Sequence, residues 1–373
     1  QSNMKEFVFP ENTHPCVVHR YTSRFIRVRF SVIYSGRHCK SLSDVDLFML
    51  RKVFSLVIAD SDIEDVSVLS ELHTLVLRHC VSVQDVSSLA YLHTLDIAGC
   101  KMIESVHHLH RLHSLDISCC DLVHDISALG NLHTLRVRDC PLIRDVSSLK
   151  RLHEVDISHC EMVSDVSALS SLHTLRAEYC PLVSDLSALG GLHTLDVEGC
   201  DLVCDVSALG KLSRLDLCFC ELVEDVSALG ALHYLNISGC PLVVDVSCLK
   251  DLHTLVMVAC PSVEDVSMLG NLKELDISFC QLVRNVSSLG RLERLTMRGC
   301  GSVRSVRSLY NLKILDISGC QHIVDVCMVL NVEILIGCPG GAEIFLSVLF
   351  CFYGLACHVF TLYMIIESLN CLM

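Results

Sequence analysis

The chain has no glycine-rich phosphate loop, no dinucleotide-binding glycine turn, no His-Glu-x-x-His pair and no Gly-x-Ser-x-Gly elbow. Each of those chemistries needs its residues at one spacing, so the corresponding nucleotide, metalloprotease and hydrolase classes are excluded. Positive charge is scarce too: 29 Lys and Arg stand against 43 Asp and Glu, a net charge of −14. A surface of that sign does not bind nucleic acid nonspecifically. The segment from Lys5 to Phe25 carries charges and histidines throughout, which is not the pattern of a secretion signal. The first uncharged stretch long enough to cross a bilayer comes late, at 344–366.

What the chain does have is one unit of twenty residues, written thirteen times between Glu71 and Leu330. Clear copies are Gly191–Gly210, GLHTLDVEGCDLVCDVSALG, and Asn131–Lys150, NLHTLRVRDCPLIRDVSSLK. A cysteine returns every twenty residues from Cys80 to Cys320. A fixed period of this length is the mark of a solenoid, in which no unit buries its apolar face alone but a stack does.

Within a unit, Leu192, Leu195 and Val197 alternate with polar residues and predict one short strand with those side chains inward. The cysteine closes the strand. Asp205-Val206-Ser207 follows, and Asp and Ser in that setting bond nearby backbone N–H groups and hold a turn. Leu209 and a small or polar pair then return the chain to the next strand.

The unit LxxLxLxxC followed by Asp-Val-Ser-x-Leu resembles a leucine-rich repeat of the kind with Cys where Asn is commoner. Its Asp-Val-Ser-x-Leu part is similar to bacterial internalin-type repeats. The whole unit, LDIxxC…DVSxL, is most similar to trypanosome leucine-rich repeat proteins. The resemblance covers roughly residues 53–338. It implies an α/β-type leucine-rich repeat solenoid: short parallel β-strands, a turn or 3-10 convex side, a curved horseshoe with capped ends. The fold serves many unrelated partners, so it implies shape rather than a specific activity.

Thirteen cysteines at one inward position are expected as small buried hydrophobes, each a weak S–H donor to loop backbone. A ladder of free thiols suits a reducing compartment, so the expected location is intracellular and cytoplasmic. Residues 1–3 read as a tag remnant or fragment edge and 4–52 as an N-terminal cap. Phe25 to Val32 alternates as a strand or hairpin would. Residues 41–70 hold a degenerate first unit, and the solenoid runs over 53–338. Cys338-Pro339-Gly340-Gly341 marks a boundary, and 339–373 reads as a hydrophobic cap or a membrane segment.

Three surface features remain. Histidine recurs after the first repeat leucine, from His73 through His193 and again at His233 and His253. Such a row could hold a divalent metal or sense pH. The reading adopted is duplication of a unit that contained His, and no metal or cofactor site is assigned. Six arginines between Arg284 and Arg307 stand against Glu293 alone, a basic end read as solvated surface. Finally, strand residues between the core leucines form outward columns. One runs Asp96, Asp116, Arg136, Asp156, Arg176, Asp196, Asp216, Asn236, and it turns basic and aromatic around Arg136, Arg138, Arg176 and Tyr179, the composition that binding hot spots favour.

The sequence therefore predicts a non-enzymatic module that binds a protein on its concave sheet. The expected contact residues are Arg136, Arg138, Asp156, Arg176, Tyr179, Asp196, Asp216, Phe219 and Tyr234. Two other functions follow from the resemblance or the tail: a ubiquitin-ligase substrate receptor, since Cys-type repeats resemble those of F-box proteins, and a membrane-tethered receptor held by 344–366.

Overall fold

A computed structural model describes residues 6–24, 29–34, 42–326, 329 and 332–337. The chain divides into two compact units, Gln1–Cys200 and Asp201–Met373.

The first unit opens with strand β1 (Glu6–Val8), helix α1 (Pro15–Thr22), strand β2 (Arg29–Tyr34) and helix α2 (Asp44–Leu50). Proline at the first helical position starts α1, where its missing N–H costs nothing. A capping box starts α2, with Ser43 and Asp46 each bonding the other's backbone. β1 and β2 pair in parallel around α1, so this end is a β-α-β arrangement and not a hairpin. Helices were not legible here because each spans only two turns. Val18 and Leu47 are fully buried.

Strands β3 (Ser55–Ala59) and β4 (Thr74–Arg78) continue the sheet. They are followed by β5 (Thr94–Asp96), β6 (Ser114–Asp116), β7 (Thr134–Arg136), β8 (Glu154–Asp156), β9 (Thr174–Arg176) and β10 (Thr194–Asp196). From β4 on, each residue pairs in parallel with the one twenty positions later, as Leu115 with Leu135 and Leu175 with Leu195. The second unit repeats this with β11 (Arg214–Asp216), β12 (Tyr234–Asn236), β13 (Thr254–Val256), β14 (Glu274–Asp276), β15 (Arg294–Thr296), β16 (Ile314–Asp316) and β17 (Ile334–Ile336).

One repeat shows how the core is made. Leu112, Leu115, Ile117, Cys120, Val123, Ile126 and Leu129 are all at most 3 % exposed. Each such side chain contributes roughly 1.5–3 kcal/mol of burial, against the entropy of ordering its turn. The cysteine does more than fill space. Cys120 Sγ donates to the carbonyl of Ile97 at 3.4 Å, and Cys160 Sγ to Val137 at 3.0 Å. These carbonyls end the preceding strand and face the core, where an unmet acceptor is costly.

On the outer side, Asp125 Oδ1 accepts the Ser127 N–H at 2.8 Å, and a 3-10 turn follows at Ser127–Leu129. In the first unit this recurs to Ser187–Leu189. In the second it holds through Ser247–Leu249 and then relaxes to plain turns, as at 267–270. Asn285 keeps the backbone bond, to Ser287 at 2.9 Å. At Ser305 the acceptor passes to Asp325, which takes the Val306 N–H at 2.9 Å.

The turn signal at 338–341 and the apolar segment 344–366 lie outside the described residues. Among those described, no helix is long and apolar enough to cross a membrane.

Candidate partner-binding face

The outward column of aspartates has a first task inside its own repeat. Asp96, Asp116, Asp156 and Asp196 each accept the N–H two residues on, at 3.0–3.2 Å. In the second unit Asp216, Asn236, Asp276 and Asp316 do the same at 2.9–3.0 Å. These Asx turns hold the bend where the strand gives way to the cysteine loop. Read as a display column, the acids conceal a structural role: the side chain that faces out also folds back on its own main chain.

At Arg176, Val256 and Thr296, which replace the Asp, a serine of the previous repeat takes over. Ser158 Oγ accepts the Glu178 N–H at 3.2 Å, since Arg176 cannot. In the second unit Ser238 serves Val258, and Ser278 serves Arg298, both at 3.1 Å. Ser118 stands in the same place before Arg136, but its hydroxyl is buried without a partner.

The strand register brings several predicted residues of the first unit together. Asp116, Arg136, Asp156, Arg176 and Asp196 lie side by side on successive strands, alternating in sign. Arg138 spans two repeats, 3.5 Å from Asp156 and 3.1 Å from Glu178. Burial works against its charge, but these two carboxylates outweigh it and hold its pKa above the ordinary value. Arg176 meets Glu154 at 2.6 Å, a hydrogen bond that raises its pKa despite partial burial. Arg136 reaches Asp116 only at 4.0 Å and is the most exposed of the three. Asp156 is 3 % exposed, and its carboxylate is shared among Arg138, the Ser158 N–H and the Ser158 hydroxyl. It therefore faces a partner only through Arg138.

Tyr179 sits at the left-handed corner after the strand, with φ 52°. Its ring stacks on His159 at 5.0 Å, its hydroxyl donates to Glu198 at 2.8 Å, and 40 % of it is exposed. The ring lies across Gly199, where an added Cβ would come within 2.5 Å of it. In the second unit Phe219 takes the same corner over Gly239 and is 48 % exposed. There Asp216 accepts from Asn236 Nδ2 at 3.1 Å, and the Arg214 guanidinium lies 3.5 Å from the centre of the Tyr234 ring. Glu154 and Glu178 were absent from the sequence-based set. Their arginines lie 22 residues away for Glu154 and 40 for Glu178, so neither pair stands one repeat of twenty apart, and only the sign opposite to the arginine could have signalled them.

A family model described as Leucine Rich Repeat matches residues 271–292. A leucine-rich repeat protein of Leptospira interrogans superposes with a TM-score of 0.56 at 17 % identity, covering 85 % of this chain and 95 % of that one. The functional domain of internalin J from Listeria monocytogenes, described as including a cysteine ladder, superposes with 0.51 at 19 % identity, covering 79 % and 64 %. The chain is a leucine-rich repeat solenoid. No curated protein sequence matches it, and the likeness to trypanosome repeats rests on the sequence alone.

The leucine-rich repeats also set the histidine row. In the first unit the rings of His73 to His193 follow one another at centroid distances of 4.5–4.9 Å, four pairs stacked and two, His93–His113 and His153–His173, tilted by 40° and 30°, with Phe54 closing the row on His73 at 4.3 Å. Within this unit's described residues no three His, Cys or carboxylate ligand atoms gather. A depression of about 520 Å³ beside the row is lined by Glu71, His73, Tyr91, His93, Arg111 and His113, among others. In the second unit the row changes to Lys273, Glu293 and Lys313, the last two paired at 2.5 Å.

Proposed function

We propose that this leucine-rich repeat protein is a non-enzymatic module that holds a protein partner on the outward strand face of its first unit. Leucine-rich repeat proteins generally bind protein partners, and the reading here is carried by one observation. Arg138 and Arg176 are anchored by carboxylates on neighbouring strands yet keep about a third of their side chains exposed, beside a half-exposed Tyr179. Anchored guanidinium groups and a tyrosine lose little freedom on binding, and these residue types dominate hot spots. Arg136 and Asp196 complete this set, with Asp156 behind it. Asp216, Phe219 and Tyr234 offer a similar surface on the second unit. Intracellular residence goes with this reading, supported by a ladder of buried cysteines whose sulfurs donate to core carbonyls.

The test is affinity capture from the source cell with wild type beside Arg136→Ala/Arg176→Ala/Tyr179→Ala. A protein held by wild type and lost by the variant, with circular dichroism unchanged, supports the strand face. Identical capture by both removes it.

A further inference from the structure

A second surface lies on the outer turns of the first unit, on residues that the strand-face reading does not use. After Cys100, Cys120, Cys140, Cys160 and Cys180 the second residue is apolar and exposed: Met102, Leu122, Leu142, Met162 and Leu182, each between 36 % and 47 % exposed, whereas Ser82 after Cys80 is polar. Single exposed leucines are ordinary, but one in each of five successive repeats makes a continuous stripe, and such stripes mark contact sites. Nothing in the repeat's own packing asks for it. The inward position one residue later, as at Val123 and Ile143, already fills the core.

Three residues after Leu122, Leu142, Met162 and Leu182 comes the turn aspartate, whereas Ser105 follows Met102. Asp125, Asp145, Asp165 and Asp185 are all exposed, and each gives one carboxylate oxygen to the Ser N–H two residues on, at 2.8–2.9 Å. That bond fixes the side chain while the residue stays exposed. The apolar row and the acidic row therefore run side by side, no more than about 10 Å apart along the chain. Between them Arg144 is the cationic exception.

We propose that these paired rows dock a basic amphipathic helix of a partner protein. A helix is about 10–12 Å across with its side chains, enough to cover both rows. Its pitch of about 5.4 Å is close to the strand spacing of about 4.8 Å, so one apolar and one cationic residue per turn would meet successive repeats. Charge chooses the occupant. A second copy of this chain, at −14 overall, would set one acidic row against another, and an anionic lipid surface would be repelled by the same row.

The probe is a fluorescein-labelled 18-residue peptide with leucine at helical i, i+3 and i+4 spacing and lysine beside it, titrated against the full chain by anisotropy. The expected result is saturable binding, weakened at least tenfold in Leu122→Ser/Leu142→Ser/Leu182→Ser and weakened at least tenfold for a peptide of the same composition with its leucines scrambled. Arg138→Ala/Tyr179→Ala should bind the probe as wild type does, which keeps this surface distinct from the strand face. Equal affinity for the scrambled peptide would reduce the effect to charge attraction and overturn the proposal, and it needs no folded variant. Absence of binding would overturn it too, as would a stripe-dependent dimer in sedimentation that excludes the peptide.

Discussion

Ser158 Oγ accepts the backbone N–H of Glu178 from the next repeat at 3.2 Å, the bond that an aspartate at 176 would otherwise make within its own turn. Ser158 is fully buried and donates its own proton to Asp156 at 2.7 Å. The arginine at 176 is thus tolerated because the serine at 158 covers for it.

Ser158→Ala should therefore leave a half-buried N–H unmet and destabilise the first unit by about 1–3 kcal/mol. Arg176→Asn in that background should recover part of the loss, because Asn236 already makes this bond to Ser238 at 3.0 Å in the second unit. Urea melts of wild type, both single variants and the double variant measure the coupling. Additive losses would break the link between the two positions.

Gly199→Ala should destabilise as well. The residue is left-handed, with φ 66°, and its new Cβ would press into the Tyr179 ring at 2.5 Å. The backbone cost alone is of order 1 kcal/mol. Tyr179→Ala in the same chain should remove the steric share and leave the backbone share. Thermal melts of the pair separate the two.

The cysteines should react in two classes. Burial pushes the Cys100, Cys140 and Cys240 thiols up to about 12, so the reactive thiolate is absent at these positions at neutral pH, and the other ladder cysteines are buried as well. Cys16 and Cys204 are exposed. A thiol reagent at pH 8 should label these two before any described ladder cysteine, with the ladder reacting only on denaturation. Mass mapping of the labelled peptides checks this, and early labelling of Cys140 or Cys160 would contradict the packing.

Acid should destabilise the first unit in two steps. His73 is held below its ordinary value of 6.5 by burial, then by His93 and Arg29. The unfolded chain therefore takes this proton first, and stability falls as pH drops below 6.5. His73→Phe, which keeps the stack on Phe54, should flatten that step. The turn aspartates are held below 3.8, Asp125 mainly by the Ser127 N–H and Asp145 mainly by the Ser147 hydroxyl. Their contribution is present above 3.8 and lost as pH falls through the lower folded values. Melting temperature against pH, for wild type and His73→Phe, shows both steps.

Much of this molecule is written in the periodicity. Leu115, Ile117, Cys120 and Val123 recur at twenty, and only stacked parallel strands bury such a set, so fold class and core follow from the sequence alone. The Asp125-Ser127 turn was equally legible, since its partners are two residues apart. The sheet-face residues were legible in position but not in state. Asp156 and Arg138 are eighteen residues apart, and Tyr179 and Gly199 are twenty apart. Whether a carboxylate is exposed, buried under an arginine or committed to a backbone N–H depends on which side chain the neighbouring repeat sets beside it. The exposed leucine stripe escaped notice for the opposite reason: one residue before a core position, a leucine looks like core. Local pattern fixes which way a repeat folds. The contacts across repeats, which tertiary stacking alone creates, decide which of its outward groups remain available to a partner.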